Sequence, residues 1–203
     1  MPRLLVGCEE SQRVCIAFRE IGWEAYSCDL MPCSGGHPEW HIQDNVLYHL
    51  EGWDMMIMHP PCTYLSNAGA RHLYKGGKLQ EARYKQGLLA KEFFMRLYNA
   101  NCPRICVENP RPSSTYGLPS PTQVIQPCDF YGRLNPYTKA TLLWLKGLPP
   151  LQPVEPVEPI GSWCRGRYAD LEAARTGVSR QIVRSKTFYG IAKAMAEQWG
   201  NLV

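Results

Sequence analysis

Two short loops in this chain carry side chains that can act together in covalent chemistry. Cys62 follows Pro60-Pro61 at the end of an apolar run, and Glu108 precedes Asn109-Pro110 at the end of another. A cysteine on a tight loop can act as a nucleophile, and a carboxyl group that faces it can protonate the group under attack. A free thiol has a pKa near ~8.5, so Cys62 needs neighbours that stabilise its thiolate. The two loops predict a nucleophile and a general acid at one site.

Both loops leave predicted strands of an α/β sheet. Apolar runs predict strands at 3–6, 24–28, 54–58, 104–107 and 141–145. Short strands that alternate with helical periods predict a mostly parallel sheet with helices on both faces. In such sheets, ligands bind at the carboxyl ends of the strands. We therefore expect the loops at Gly7, Asp29, Cys62 and Glu108 to meet at one edge of the sheet.

Three helical periods predict the helices that pack on this sheet. The first places Val14, Phe18 and Ile21 on one face and ends at Gly22. A longer one, at 79–99, places Leu89, Phe93 and Leu97 in line, and the last places Ile191, Met195 and Trp199 on neighbouring turns.

The composition indicates an ordinary folded protein of about one domain. Of its 203 residues, 45% are hydrophobic, so a full core can form. We find no signal-peptide pattern and no run near the ~20 apolar residues of a membrane span, so we expect a soluble, cytoplasmic protein with no membrane partner. Nine irregularly spaced cysteines indicate reduced thiols. The net charge of +4 permits an anionic partner.

These two loops and the segments around them resemble the DNA (cytosine-5) methyltransferase family, in particular its short bacteriophage-type members. The segment 58–69 is similar to the family's catalytic loop, and Val107-Glu108-Asn109-Pro110 is similar to its Glu-Asn-Val motif. The resemblance runs across most of the chain in the family's order and implies a Rossmann-like class I methyltransferase fold. It implies that Cys62 attacks carbon 6 of cytosine, that Glu108 protonates ring nitrogen 3, and that carbon 5 receives a methyl group from S-adenosylmethionine. It also implies DNA as the partner and a bacterial or phage-infected bacterial cell.

The resemblance also implies where the cofactor is held. Asp29 falls where an acidic residue holds the ribose, Asp44-Asn45 falls where a polar side chain reads the adenine, and Glu9 or Glu10 could contact the ammonium group. The family's cofactor loop is rich in glycine, whereas only Gly7 is present here. The segment 188–200 resembles the closing motif beside the cofactor. The candidate cofactor-binding residues are Gly7, Cys8, Glu9, Glu10, Ser11, Asp29, Leu30, Asp44, Asn45 and Pro60.

The remaining site residues concern the nucleic acid. The family's arginine-rich strand motif is reduced here to 135–139, and Lys139 is the candidate that steadies the cytosine. The candidate nucleic acid contacts are Ser66, Asn67, Arg71, Arg165 and Arg167; Lys75, Lys78, Arg175, Arg180 and Arg184 could also contact phosphates, which fix position without reading sequence. The small recognition segment predicts short or relaxed sequence specificity.

The sequence divides into three predicted units. Residues 1–148 form the catalytic core that uses S-adenosylmethionine, and residues 149–186 form a proline-rich connector and a miniature recognition segment. Prolines recur through 149–159, which excludes a helix or a central strand there and predicts a stiff connector. Residues 187–203 form a helix that returns to the core. No obligate protein partner is evident.

Several simpler interpretations stay open. Glu108 could cap a helix, Asp29 could be a turn residue, and the arginines after Trp163 could form a solvated face. The residues Cys28, Cys33, His37 and His41 suit zinc by type, but the interval between Cys33 and His37 is shorter than in a zinc finger, so we expect no metal. The same chemistry on RNA or on a free cytosine nucleotide is one alternative function. A binding or decoy protein that has lost turnover is another.

Overall fold

The computed structural model describes residues 1–165 and 167–202 of the chain. Its strands are β1 (Arg3–Gly7), β2 (Glu24–Asp29), β3 (His41–Gln43), β4 (Met55–Met58), β5 (Tyr74–Lys75), β6 (Lys78–Leu79), β7 (Ile105–Asn109), β8 (Gln123–Ile125), β9 (Tyr137–Thr138), β10 (Thr141–Lys146) and β11 (Gly161–Ser162). Its α-helices are α1 (Arg13–Glu20), α2 (Asn67–Ala70), α3 (Glu81–Tyr98), α4 (Tyr168–Thr176), α5 (Arg180–Ser185) and α6 (Tyr189–Trp199).

Seven of these strands form one sheet in the order β3-β2-β1-β4-β7-β10-β8. The pairs β1–β2, β1–β4, β2–β3 and β4–β7 are parallel, whereas β10 is antiparallel to both β7 and β8. Each strand that the sequence predicts is present, with ends that differ from the prediction by one or two residues. The order reverses at β1, where β2 lies on one side and β4 on the other, and such a switch point is where open α/β sheets bind ligands.

Helices cover both faces of the sheet because alternate strand residues point to opposite sides. Leu4, Val6 and Ile57 pack with side chains of α1 and α6 on one face. Leu5 and Met56 pack with Phe94 and other side chains of α3 on the opposite face. The predicted fold class, a mostly parallel α/β sheet with helices on both faces, is confirmed.

Two details of the predicted helices are wrong. Helix α1 ends at Glu20, so Ile21 lies beyond the helix and is 44% exposed instead of facing the core with Val14 and Phe18. In α3, the buried residues are Gly87, Phe94 and Leu97, and Leu89 is 57% exposed. The buried stripe of α3 is displaced around the helix from the line that the sequence suggested, because Gly87 lets the ring of Tyr116 lie directly against the backbone.

The proline-rich segment lies along the core. Leu151 is buried, and the backbone N–H groups of Tyr131 and Gly132 donate to the carbonyls of Val154 and Glu155. After it, β11 pairs with β9, and α4 and α5 pack on each other. The predicted third unit contains α6, and its last residue, Val203, lies outside the described residues. Within residues 1–165 and 167–202, no helix has the length and apolarity needed to cross a bilayer.

Candidate active site

The strand ends that carry the predicted loops are neighbours in the sheet. Gly7 at the end of β1 pairs with Cys28 of β2 on one side and with Met58 of β4 on the other. Met58 pairs in turn with Val107, the residue before Glu108. Parallel pairing therefore brings the loops after β1, β2, β4 and β7 to one edge of the sheet.

Hydrogen bonds join the loop that carries Cys62 to the segment that follows Glu108. The side-chain amide of Asn109 donates to the carbonyl of Pro60 at 2.7 Å, and Asn109 is buried. Further along, Asn67 N–H donates to the carbonyl of Arg111 at 3.0 Å, and Ser113 N–H donates to that of Leu65 at 2.7 Å. The two segments therefore hold each other in place around the candidate nucleophile.

We predict that Asn109→Ala loosens this junction. The change removes the donor to the Pro60 carbonyl and should lower the free energy of unfolding by about 1–3 kcal/mol. Urea denaturation measures the loss, with Asn101→Ala, an exposed residue just after α3, as the control. If both variants unfold at the same urea concentration, the junction does not hold the loops.

Cys62 lies at this junction and is partly accessible. Burial raises the pKa of its thiol, and the nearby carboxylate of Glu108 raises it further. The positive charges of Lys139 and Arg184 act in the opposite direction without overcoming these two effects. The thiol of the free protein is therefore mostly protonated at neutral pH, and the two cations are what favours its thiolate.

Glu108 is held by His59, the residue that follows β4. Nδ1 of His59 lies 3.1 Å from Oε2 of Glu108, and the two side chains are 7% and 14% exposed. Burial acts to raise the pKa of Glu108, but the hydrogen bond with His59 and the positive charges of Lys139 and His59 together lower it below its ordinary value. The carboxyl group is therefore ionised in the free protein.

The positive charge of Lys139 acts on both candidate catalytic groups, Cys62 and Glu108. Its charge lowers the pKa of Cys62 and that of Glu108. Its Nζ donates to the carbonyl of Arg184 at 2.9 Å and lies 5.5 Å from the ring centre of Phe188. The structure thus brings Cys62, Glu108 and Lys139 together, although they come from distant parts of the chain.

We predict that Lys139→Met slows the alkylation of Cys62 by iodoacetamide. Loss of the cation raises the pKa of the thiol, so at about pH 8 the thiolate fraction should fall roughly 3–10-fold. Peptide mapping after timed alkylation measures the rate at Cys62. Lys146→Met, which removes a lysine from the other end of β10, should leave that rate unchanged. An equal rate in Lys139→Met and the wild type would show that Lys139 does not act on the thiol.

The loop after β1 uses some of its candidate cofactor groups within the protein. Cys8 and Glu9 both donate their backbone N–H groups to the carbonyl of Cys28. Glu9 is buried, and its carboxyl oxygens accept from the N–H groups of Val14 and Cys15, in the first turn of α1. Burial raises the pKa of Glu9, and the charge of His59 and these two bonds oppose that effect. Glu9 therefore caps the N-terminal end of α1.

Three other residues of this loop are largely shielded from solvent. Glu10 lies 3.5 Å from Nζ of Lys186, and the hydroxyl of Ser11 is buried with no hydrogen-bond partner among the described residues. Gly7 has no room for a side chain, because an added Cβ would lie 2.3 Å from Sδ of Met58. The tight space at Gly7 reflects packing between strands.

The other cofactor candidates surround this loop. Asp29 ends β2, and Oδ1 of its carboxyl accepts from Met31 N–H at 2.9 Å. Oδ1 of Asp44 accepts from the backbone N–H of Asn45, and Oδ2 of Asp44 contacts Nε2 of His49. Oδ1 of Asn45 accepts from the backbone N–H of Leu47. Leu30 is exposed beside Asp29, and Pro60 is part of the junction described above.

These groups fit S-adenosylmethionine in their chemistry. The free hydroxyl of Ser11 and the carboxyl of Asp29 suit the polar part of a nucleoside, and exposed Leu30 offers an apolar surface beside them. The carboxylate of Glu10 already pairs with the ammonium group of Lys186, so it is suited to a second ammonium group. The donor set therefore fits an adenosyl group that carries an amino acid.

The candidate nucleic acid contacts differ in their solvent exposure and in whether they already have a partner within the protein. Asn67, Arg71, Arg165 and Arg167 are exposed, whereas Ser66 is buried and caps α2 by accepting from Gly69 N–H. Two arginines of the recognition segment are paired with carboxylates: Arg175 with Glu172, and Arg180 with Asp170. Lys75 and Lys78 face solvent on the β5–β6 hairpin.

Three of the four residues considered for zinc have other partners. Cys28 Sγ lies 3.4 Å from the carbonyl of Asp44, His41 bonds to the hydroxyl of Ser27, and the ring of His37 stacks on Trp40 at 3.8 Å. Among residues 1–165 and 167–202, no three His, Cys, Asp or Glu side chains are grouped so that they could hold a metal ion.

Two functional candidates were not assigned to the active site from the sequence. His59 contacts Glu108, and the signal for it is a histidine at a strand end directly before the double proline. Arg184 was considered only as a phosphate contact, but its charge acts on Cys62. No local sequence pattern indicates this effect of Arg184, because α5 is distant from Cys62 in the sequence and comes near it only in the folded protein.

A cavity of about 570 Å³ is lined by Leu47 and His49, the partners of Asn45 and Asp44, and by none of the candidate catalytic residues. Arg3, Tyr26, Trp53 and Tyr48 are among its lining residues, and Arg3 begins β1 at the end opposite Gly7. None of the candidate site residues lines it.

Comparisons with known proteins give limited information. No protein-family model matches the chain, and no curated protein does. Among solved structures, the chain is similar to a protein encoded within a prophage of E. coli and provisionally described as a DNA modification methyltransferase. The identity is 10% and the TM-score 0.43, and the match covers 71% of this chain and 46% of that one. The chain thus spans less than half the length of that protein.

Proposed function

We propose that this protein is an S-adenosylmethionine-dependent enzyme that methylates carbon 5 of cytosine in DNA. One observation supports this above the others: Cys62 and Glu108 lie on loops that hydrogen bonds hold together, and the charge of Lys139 acts on both. The mostly parallel sheet with helices on both faces is what the Rossmann-like class I methyltransferase fold requires. No part of the proposal depends on the prophage protein.

Cys62 is the nucleophile of the proposed reaction. Carbon 5 of cytosine is too weak a nucleophile to accept a methyl group unaided. Addition of the Cys62 thiolate to carbon 6 converts the ring into an enamine with electron density at carbon 5. Because the pKa of the thiol is raised in the free protein, the charges of Lys139 and Arg184 serve to increase the thiolate fraction.

Glu108 is the acid of the proposed reaction. Addition at carbon 6 places negative charge on ring nitrogen 3, and a proton from Glu108 neutralises it. Because the pKa of Glu108 is lowered in the free protein, its carboxylate must gain a proton as the thiolate adds.

The cofactor S-adenosylmethionine, when bound, supplies an electrophilic methyl group. On this chain, Asp29 would bind the ribose, Glu10 would bind the ammonium group, and Ser11 would donate or accept through its free hydroxyl. Leu30 would cover an apolar face of the base. The exposed Arg71, beside the nucleophile loop, is placed to contact phosphates of the DNA.

Radiolabelled S-adenosylmethionine tests the proposal. Purified protein is incubated with the cofactor and, separately, with duplex DNA, single-stranded DNA, RNA or a free cytosine nucleotide. We expect label in DNA, recovered as 5-methylcytosine after hydrolysis. Label in RNA or nucleotide alone would move the substrate but keep the chemistry. Calorimetry that shows cofactor binding without label in any acceptor would overturn the proposal, and calorimetry without any binding would favour a decoy.

A further inference from the structure

The carboxylate of Glu108 needs a proton, and His59 is the side chain bonded to it. The distance from Nδ1 to Oε2 is 3.1 Å, and both side chains are largely shielded from water. In the described part of the chain, no hydrogen bond joins the Cys62 thiol to Glu108, so His59 offers the bonded path to the carboxylate.

The hydrogen in this bond belongs to His59. An ionised carboxylate only accepts hydrogen bonds, so Nδ1 must carry the proton that lies between the two groups. The backbone of His59 is also fixed in place, because its backbone N–H donates to the carbonyl of Gly7 at 2.9 Å and Pro60 follows directly. His59 therefore presents a donor to Glu108 from a rigid strand end.

The other ring nitrogen of His59 is buried, and the charge of His59 also affects a second carboxyl group. Nε2 is buried with no hydrogen-bond partner among residues 1–165 and 167–202, and the charge of His59 acts on the buried carboxyl of Glu9. The cations that act on these two carboxyl groups from neighbouring elements are Arg13, on Glu9, and Lys139, on Glu108. A protonated imidazole can pass a proton to a carboxylate that it contacts, and the contact of His59 is with Glu108.

We propose that His59 is a positioning residue that orients Glu108 and supplies the proton Glu108 delivers to cytosine. The inference rests on the proposed function. In the step, the Nδ1–H bond of the imidazolium breaks and an O–H bond forms on Glu108. That O–H bond then breaks as an N–H bond forms at ring nitrogen 3, which leaves a neutral imidazole and a carboxylate. The proton returns along the same path when the ring is released.

The variant His59→Asn separates orientation from proton supply. The Asn amide can donate a hydrogen bond to Glu108 from nearly the position of Nδ1, but it cannot carry a transferable proton. We expect kcat to fall on the order of 100-fold at about pH 8, while the KM values for DNA and cofactor change less than about 3-fold. His37→Asn is the matched control, because His37 also faces a carboxylate, that of Glu39 at 3.2 Å, but on the surface.

The pH profile of kcat distinguishes the proposal from a structural role. Without His59, the proton must come from solvent, so the ratio of the His59→Asn kcat to the wild-type kcat should rise as the pH falls, since both proteins lose the Cys62 thiolate alike. A wild-type kcat in His59→Asn, or a deficit that is the same at every pH, would overturn the inference. An inactive wild type would instead overturn the proposed function.

Nitrogen NMR of the histidine rings provides a readout that does not need turnover. We expect a protonated Nδ1 on His59 in the wild type, and a nitrogen chemical shift at Nδ1 that changes in Glu108→Gln because the bond to the carboxylate is altered. A ring that is unprotonated at Nδ1 in the wild type would also overturn the inference, whatever the activity.

Discussion

Replacement of Cys62 by alanine should reduce methyl transfer to cytosine by at least about 10⁴-fold. Without the thiolate, nothing adds to carbon 6, and carbon 5 stays too weak a nucleophile. The side chain is only partly buried, so the free energy of unfolding should change by about 1 kcal/mol or less. Cofactor affinity should be unchanged, because Asp29, Leu30, Glu10 and Ser11, the groups proposed to bind the cofactor, lie on other loops.

Label transfer and calorimetry measure these two effects in parallel. Cys33→Ala is the matched control, since Cys33 is also a partly accessible cysteine but lies outside the junction. It should retain wild-type transfer. A folded Cys62→Ala protein that still methylates cytosine would show that another group, or no covalent step, drives the reaction.

Glu108→Gln should have two effects of opposite direction. Transfer should fall by about 10²–10⁴-fold, because the amide cannot deliver a proton to ring nitrogen 3. Alkylation of Cys62 should become faster, because the negative charge that raises the pKa of its thiol is gone. At about pH 8, we expect the alkylation rate to rise roughly 3–10-fold.

The pairing of a slower reaction with a more reactive thiol separates an acid from a structural carboxylate. Glu92→Gln, on the exposed surface of α3, should change neither rate. If Glu108→Gln slowed both transfer and alkylation, its effect would be a distortion of the Cys62 loop.

The sequence predicts the sheet and the meeting of its loops because both depend on local patterns. Apolar runs followed by polar turns mark β1, β2, β4 and β7, and parallel pairing brings their ends to one edge. The phase of α3 was harder to predict, because its buried stripe is decided by Tyr116, a residue outside the helix.

The individual roles of charged residues depend on contacts that a sequence does not contain. Glu9 and Glu10 are adjacent and chemically alike, yet Glu9 caps α1 while Glu10 pairs with Lys186 from the far end of the chain. Arg175 and Arg180 looked like phosphate contacts, but each has a carboxylate partner. Proximity in the fold, and not residue type, separates these cases.

The active-site residues differ in how clearly the sequence indicates them. Cys62 and Glu108 could be recognised because each sits in a short, distinctive motif. The role of His59 depends on the contact of its ring with Glu108, and a histidine followed by a proline does not by itself predict that contact.

Covalent trapping on DNA that contains 5-fluorocytosine tests the central claim most directly. Fluorine at carbon 5 cannot leave as a proton does, so an adduct at carbon 6 that has gained a methyl group cannot be released. With S-adenosylmethionine present, we predict a stable protein–DNA adduct, seen by intact mass spectrometry and mapped by peptide analysis to Cys62. Methylation of ordinary cytosine DNA without any trapped adduct, or an adduct on another residue, would contradict the account.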